Sequence, residues 1–359
     1  MHTVIWILLY LSQLSFITAV DEMSNINIMS VGDWGSAALG GYHLKNAQDT
    51  ANAMQSYLNE YSPKLVLNTG DNFYYCGIQN GSDPQINEDF IKLFGGIHLP
   101  WYNALGNHDY GFNPDAQLWL NETIPTWIMD ARYYHRRIVL YPDPDPKSTL
   151  ILNIIVLDTN PCVSDYRGKD RAKWDPCGIQ YPTCAPIADE CHFHENIIEQ
   201  DCNVQLEWFR TTLESIDAAN EWIFVIGHHK ANEIDAEDFQ SVLSDSRIHL
   251  YMNGHTHILD HYSIDDDPKY MTTGAGGMVI IGQNESDEAN MNDTSCIINP
   301  GNTSHRIRSM WSKVVTGFTS HTFINNHASY SKVITEFWDT KQNLLYNFTI
   351  YQNRTITIM

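Results

Sequence analysis

Five short motifs set chemically capable side chains beside glycine. They are Gly32-Asp33-Trp34-Gly35, Gly70-Asp71-Asn72-Phe73-Tyr74, Gly106-Asn107-His108-Asp109, Gly227-His228-His229 and Gly254-His255-Thr256-His257. Each follows a short apolar run that reads as a buried strand, and ligand sites in open α/β sheets form at the carboxyl ends of strands. Asp33, Asp71, Tyr74, Asn107, His108, His228, His255 and His257 are therefore expected to converge in space. Carboxylate, imidazole, amide and phenolate with no thiolate suit hard or borderline divalent and trivalent metals. Singly the motifs are weak, because G-D-x-G is ordinarily an Asx-capped turn and paired histidines are ordinarily satisfied core residues. Five in one chain, each at a strand end, point to a metal centre.

The elements that must position them follow from periodicity. Asn25–Val31, Leu65–Asn68, Tyr102–Leu105, Thr149–Leu157, Trp222–Ile226 and His249–Met252 read as strands, and Asn46–Tyr61, Val204–Ile216 and Ala236–Leu243 as helices. Strands alternating with helices imply a layered α/β core. Beyond Tyr270 a turn-rich stretch, Met271–Gly277, leads to strand after strand over Lys332–Ile358, which a second sheet packed on the first accommodates. With no internal repeat and no interdomain linker, one α/β domain with a sandwiched core is expected.

The 359 residues are 43% hydrophobic, enough for a sizeable core, which excludes a wholly disordered or collagen-like chain. Lys+Arg 21 against Asp+Glu 43 gives a net charge of −22. Such a surface repels nucleic-acid backbones and anionic membranes, though metal ions can still create a locally positive site. Residues 1–19 read as a secretory signal, leaving 20–359 as the domain, and no other stretch has the length of a membrane span. Sequons begin at Asn80, Asn121, Asn284, Asn292, Asn302, Asn347 and Asn353, in keeping with secretion. Cys162, Cys177, Cys184, Cys191 and Cys202 crowd a polar insertion at about 160–202, which in an oxidising compartment reads as a disulfide-stapled loop. The competing reading is a zinc knuckle with His192 and His194. The insertion also carries Tyr166, Arg167, Lys169, Arg171, Lys173 and Trp174, and either roofs the site or elaborates the surface.

The five motifs in this order resemble the metallophosphoesterase superfamily and, within it, the purple acid phosphatases, particularly the small tartrate-resistant type. Gly35 stands where calcineurin-like relatives usually carry a histidine, and Tyr74 where their second motif lacks a tyrosine. Asn72-Phe73-Tyr74-Tyr75 and Pro100-Trp101-Tyr102 also look like the small subgroup. The resemblance implies a four-layer α/β/β/α sandwich, two packed mixed sheets flanked by helices. It implies a ferric ion held by Asp33, Asp71, Tyr74 and His257. A divalent neighbour (Fe2+, Zn2+ or Mn2+) is held by Asp71, Asn107, His228 and His255, with Asp71 bridging. The implied activity is acid phosphatase action on phosphate monoesters, by in-line attack of a metal-bound hydroxide.

His108 is the candidate to steady phosphate and protonate the leaving oxygen. The subgroup places a second substrate-facing histidine where an ungapped count reaches Glu237, and His229, standing where a tyrosine is usual, is the candidate to substitute in part. The expected partners are small phosphorylated substrates or phosphoproteins, without nucleic acid. The expected state is a monomer, and the location secreted or lysosomal/vacuolar. Two alternatives are a secreted dimetal phosphodiesterase and a non-catalytic metal-binding surface protein.

Overall fold

The computed structural model describes residues 25–358 except 145–148, 169–173, 178–183, 185–190, 218–220, 280–294, 299–303 and 326–329. The expected signal peptide lies outside the described residues, as do the sequon asparagines Asn284, Asn292 and Asn302.

Two eight-stranded mixed sheets form the centre. The first runs in the order β16 (Ile356–Ile358), β15 (Leu344–Tyr351), β14 (Tyr330–Asp339), β13 (Gly317–Asn325), β1 (Ile26–Val31), β2 (Val66–Asn68), β3 (Trp101–Asn103), β4 (Trp127–Ile128). The second runs β11 (Ser295–Ile298), β12 (Ser304–Lys313), β9 (Leu259–Ile264), β10 (Asp267–Thr273), β8 (Leu250–Asn253), β7 (Trp222–Ile226), β6 (Leu150–Val156), β5 (Tyr134–Tyr141). β1 to β4 pair in parallel, as do β6, β7, β8 and β10, so each sheet has a parallel heart with antiparallel additions. Every candidate motif follows one of these parallel strands.

β7 shows why its sequence is apolar throughout. Trp222, Phe224 and Ile226 face the first sheet, with Phe224 stacked 5.8 Å from Phe323 of β13 and Trp222 edge-on to the same ring at 5.3 Å. Ile223 and Val225 point the other way, into a second cluster with Leu206, Phe209 and Leu213 of the helix Cys202–Ser215. A strand buried on both faces loses the alternation of a half-buried one. The first sheet is covered by the helix Gly41–Tyr61, whose Tyr57 meets Phe318 of β13 at 5.6 Å. The result is the expected helix–sheet–sheet–helix sandwich.

The second sheet is not built from the C-terminal strands, as the sequence suggested: β13 to β16 extend the first sheet through the antiparallel β1–β13 pair, the second sheet comprises β5 to β12, and Met271–Thr273 of the turn-rich stretch are the end of β10. The other differences sit at helix starts. The helix over Asn46–Tyr61 begins at Gly41, because its first turn, Tyr42 to Lys45, is mostly exposed and carries no amphipathic signal. The helix expected over Ala236–Leu243 is only Phe239–Leu243, capped by the Asp238 carboxylate accepting from Ser241 N. Asp201 likewise caps Cys202–Ser215 by accepting from Asn203 N and Val204 N. Each cap satisfies amides the first helical turn leaves unpaired.

Three disulfides, Cys76–Cys184, Cys162–Cys202 and Cys177–Cys191, take up all five cysteines of the insertion. No thiolate is left there for a zinc knuckle, and His194 Nδ1 instead meets the carbonyl of Tyr166 at 3.1 Å. Cys76 follows directly on the Tyr74-Tyr75 pair, so the insertion is tied covalently beside the candidate site.

Asp89 is fully buried and accepts from Ala38 N at 2.6 Å and Gln85 Nε2 at 2.8 Å. Burial pushes its carboxyl up to about 7 from the ordinary 3.8, despite those donors. The folded chain thus holds this proton more tightly than the unfolded chain. Its contribution to stability is complete below about pH 4 and is lost as pH rises towards 7. Asp89→Asn should therefore gain on the wild type between pH 4.5 and 7.5, by at most about 4 kcal/mol. Urea unfolding across that range checks it, and a pH-independent difference would show Asp89 ionised in both states.

Candidate metal centre

The motif loops meet at one end of the sandwich, between the two sheets. Asp33 follows β1, Asp71 and Tyr74 follow β2, Asn107 and His108 follow β3, His228 and His229 follow β7, and His255 and His257 follow β8. Asp33, Asp71, His255 and His257 have φ of 56°, 54°, 72° and 55°. Left-handed backbone is uncommon outside glycine, though Asp and His are enriched among its exceptions, and such strain gathers at functional sites. The motif glycines are required for room, most directly for the ligands at two of them. A Cβ on Gly106 would lie 2.1 Å from Asp71 Oδ1, and one on Gly254 2.3 Å from Asp33 Oδ2.

The side chains form two adjoining groups. In the first, the Tyr74 hydroxyl lies 3.0 Å from Asp33 Oδ1 and 3.1 Å from His257 Nε2. In the second, Asn107 Oδ1 lies 3.0 Å from His228 Nε2 and 2.9 Å from His255 Nδ1. Asp71 stands between them. Its Oδ1 accepts from His108 N at 2.9 Å, while Oδ2 is buried with no partner in hydrogen-bonding geometry and lies 3.4 Å from His228 Nε2. All seven expected ligands are therefore together.

Surrounding groups fix their orientation. The carbonyl of Thr69 accepts from His228 Nδ1 at 2.8 Å, turning Nε2 inward. Asp33 accepts the His255 amide on both oxygens, at 3.2 and 3.0 Å. Asp109, the last residue of its motif, accepts from the amides of Asn72, Phe73 and Gly106 and from Gln117 Nε2. It clamps the loops after β2 and β3 together, a role its sequence position does not disclose. The carbonyl partners Thr69 and Tyr75 were equally invisible, since any residue supplies a backbone carbonyl.

The electrostatics describe a site awaiting positive charge. Burial holds Asp33 well above the carboxylate range, with the Asp71 charge adding to the rise and His228 opposing it. Burial also acts to raise Asp71, but His228, His108 and His255 outweigh it and hold Asp71 low. Burial would depress His228, yet Asp71 carries it up to about 10. Tyr74 is pushed well above 10 by burial and then by Asp33 and Asp71. A bound cation would offset the burial that disfavours the anionic forms of Asp33 and Tyr74.

A metal pair fits this set. Neighbouring donor atoms stand near 3 Å apart, the edge of a coordination polyhedron with bonds of about 2.1 Å. The unpartnered Asp71 Oδ2 lies 3.4 Å from His228 Nε2 of the second group, and the ligand atoms of Asp33, Asp71 and His228 lie within 4.8 Å of one another.

A cavity of about 590 Å³ opens onto the centre, within the range of roughly 300–1,000 Å³ for small-molecule sites. Asp71, Asn107, His108, His229, His255 and His257 line its floor, and Val163, Asp165, Tyr166 and Trp174 of the insertion line its wall. The insertion therefore walls the site. Trp174 sits edge-on to His108 with ring centroids 4.9 Å apart. Glu233 and Asp235 also line the cavity, whereas Glu237, which the ungapped count selected, is not among the lining residues. His108 donates through Nδ1 to the Tyr75 carbonyl, 2.8 Å away. His229 is buried, with Nδ1 2.9 Å from Thr159 Oγ1 and Nε2 3.0 Å from the Tyr166 hydroxyl.

A family model described as calcineurin-like phosphoesterase matches residues 26–259, the span that carries all five motifs. The chain belongs to that family. This phosphoesterase is 25% identical over 262 residues to purple acid phosphatase 7 of Arabidopsis thaliana, covering 70% of each chain. It is 23% identical over 265 residues to the tartrate-resistant acid phosphatase type 5 of Mus musculus, covering 71% of this chain and 73% of the relative. In fold it is similar to the GAP50 anchor in the inner membrane complex of Plasmodium, with TM-score 0.60, 18% identity, and 90% and 87% of the two chains covered. A dimetal phosphatase from Danio rerio aligns with TM-score 0.50 and 13% identity over 91% of this chain and 99% of that one. The calcineurin-like phosphoesterase family and the curated purple acid phosphatase relatives imply a dimetal centre in the phosphoesterase described here. Among the described residues, no helix is long and apolar enough to cross a membrane.

Proposed function

We propose that this phosphoesterase is an acid phosphatase hydrolysing phosphate monoesters, with Fe3+ and a divalent ion (Fe2+, Zn2+ or Mn2+) as its cofactors. Asp33, Asp71, Tyr74 and His257 would hold the ferric ion, and Asp71, Asn107, His228 and His255 the divalent one. The observation that carries this reading is the Tyr74 hydroxyl, seated 3.0 and 3.1 Å from Asp33 Oδ1 and His257 Nε2. A hard anionic phenolate, formed from a group whose ordinary pKa is about 10, favours a trivalent ion. When bound, the two ions neutralise phosphate charge and acidify a water for in-line attack.

The remaining work falls to the protein. His108 keeps Nδ1 on the Tyr75 carbonyl, so Nε2 is the nitrogen left to hold a proton for the leaving oxygen. Trp174 and Tyr166 wall the cavity and favour a compact monoester over a larger diester. Three disulfides and exposed sequon asparagines at Asn80, Asn121 and Asn353 support a secreted or lysosomal/vacuolar location, with residues 1–19 removed as a signal.

Visible absorption and metal analysis of protein secreted from eukaryotic cells test this, beside Tyr74→Phe and with parallel assays on 4-nitrophenyl phosphate and bis(4-nitrophenyl) phosphate. The expected result is a purple band lost in the variant, about two metals per chain, and turnover of the monoester. A colourless dimetal protein would reduce Tyr74 to packing. Preference for the diester would favour the phosphodiesterase alternative, and a metallated protein without turnover the non-catalytic one.

A further inference from the structure

We infer that Tyr166, in the disulfide-held insertion, donates a hydrogen bond to a substrate phosphoryl oxygen, with His229 and Thr159 as the positioning residues that aim it. The inference rests on the phosphoesterase reading above and adds a substrate-binding group to it.

Proton counting along a buried chain carries the assignment. Thr159 Oγ1 lies 3.2 Å from His228 N and 3.2 Å from His229 N, both of which can only donate. A hydroxyl has two acceptor lone pairs and one proton. With both lone pairs taken by amides, Thr159 must give its proton to the third neighbour, His229 Nδ1, at 2.9 Å. Nδ1 is then an acceptor, so the neutral imidazole carries its proton on Nε2. That proton points at the Tyr166 oxygen, 3.0 Å away. The reverse arrangement, Tyr166 donating to Nε2, would put the proton on Nδ1 and ask Thr159 for a third lone pair.

Tyr166 therefore accepts from His229, and among the described residues its own O–H has no acceptor. The residue is only 8% exposed, and it lines the cavity beside Asp71, Asn107 and His255. A buried donor with its proton unspent, on the wall of an anion site, is placed to bind an oxygen of the anion. Burial, with Glu233, Asp71 and Asp165 nearby, keeps the phenol well above its ordinary pKa and so a donor. Its ring is fixed by Phe193 at 5.2 Å and Trp174 at 5.9 Å. Cys162–Cys202 and Cys177–Cys191 bracket this segment. Tyr166 thus supplies a substrate-facing donor in a chain whose Glu237 does not line the cavity.

The test is binding of inorganic phosphate to the metal-loaded full chain, followed by calorimetry, for wild type, Tyr166→Phe, Thr159→Val and the double variant, with 4-nitrophenyl phosphate turnover measured alongside. Phenylalanine keeps the ring packing and removes only the hydroxyl. Loss of a hydrogen bond to a charged group should weaken phosphate about tenfold or more. Thr159→Val, which frees His229 to take the other tautomer, should weaken it in the same direction while leaving Tyr166 in place. The double variant should be no weaker than Tyr166→Phe alone, an outcome a merely structural role would not give. Unchanged phosphate affinity in Tyr166→Phe overturns the inference. Phosphate binding that depends on Tyr166 without any ester turnover would uphold it and sink the phosphatase reading. A wild type that binds no phosphate would sink both.

Discussion

Asp71→Asn is expected to lower turnover by about a thousandfold or more and to reduce metal content from about two ions per chain to about one. The carboxylate stands between the two donor sets: its unpartnered Oδ2 lies 3.4 Å from His228 Nε2, and the ligand atoms of Asp33, Asp71 and His228 lie within 4.8 Å of one another. Asparagine preserves the volume and the acceptor for His108 N but removes the charge that offsets two cations. Dimetal stabilisation of a developing phosphoryl charge is worth several kcal/mol, and each 1.36 kcal/mol is tenfold in rate, which sets the expected loss. Elemental analysis and steady-state kinetics on the same preparation check it. Two ions per chain with wild-type turnover would remove Asp71 from its bridging role.

The largest stability effect should come from Trp34→Ala, at about 3–5 kcal/mol. Trp34 is fully buried one residue beyond Asp33. Five rings surround it, Phe73, Phe90, Phe94, Trp101 and Trp127, with centroids 5.2 to 6.4 Å away. Its indole N–H donates to Asn68 Oδ1 at 3.0 Å, and Asn68 Nδ2 in turn donates to Asn72 and Asn103. Truncation leaves a cavity among rings that cannot collapse and takes a donor from a buried amide ladder. Trp34→Phe keeps most of the packing and should cost about 1–2 kcal/mol, chiefly the lost N–H. Urea unfolding of the metal-free chain measures both, and equal small losses would place Trp34 outside the core that supports the Asp33 loop.

The amino-acid sequence by itself determined which side chains converge at the candidate site. Asp33, Asp71, Tyr74, Asn107, His228, His255 and His257 each stand within a few residues of a parallel strand, and β-sheet pairing carries strand ends to one edge whatever the intervening chain does. The alternation of strands and helices, and the doubly apolar β7, fixed the layered core for the same local reason. The disulfide framework was legible as a framework, although its pairing and the tie from Cys184 to Cys76 were not, because spacing does not set connectivity.

Tertiary structure alone decided what surrounds the candidate site. Asp109 became a clamp only when the loops after β2 and β3 met, since its donors Asn72, Phe73 and Gln117 are distant or ordinary in sequence. Counting residues beyond His228 reached Glu237, while folding brought Glu233 and Asp235 to the cavity, because the segment turns before the short helix Phe239–Leu243. The backbone amides of His228 and His229 fix the proton on Thr159, and through it the direction of the Tyr166 hydroxyl. A ligand motif is written in side-chain type and local spacing. A hydrogen-bond direction depends on every donor that reaches the same oxygen, and those donors are gathered only by the fold.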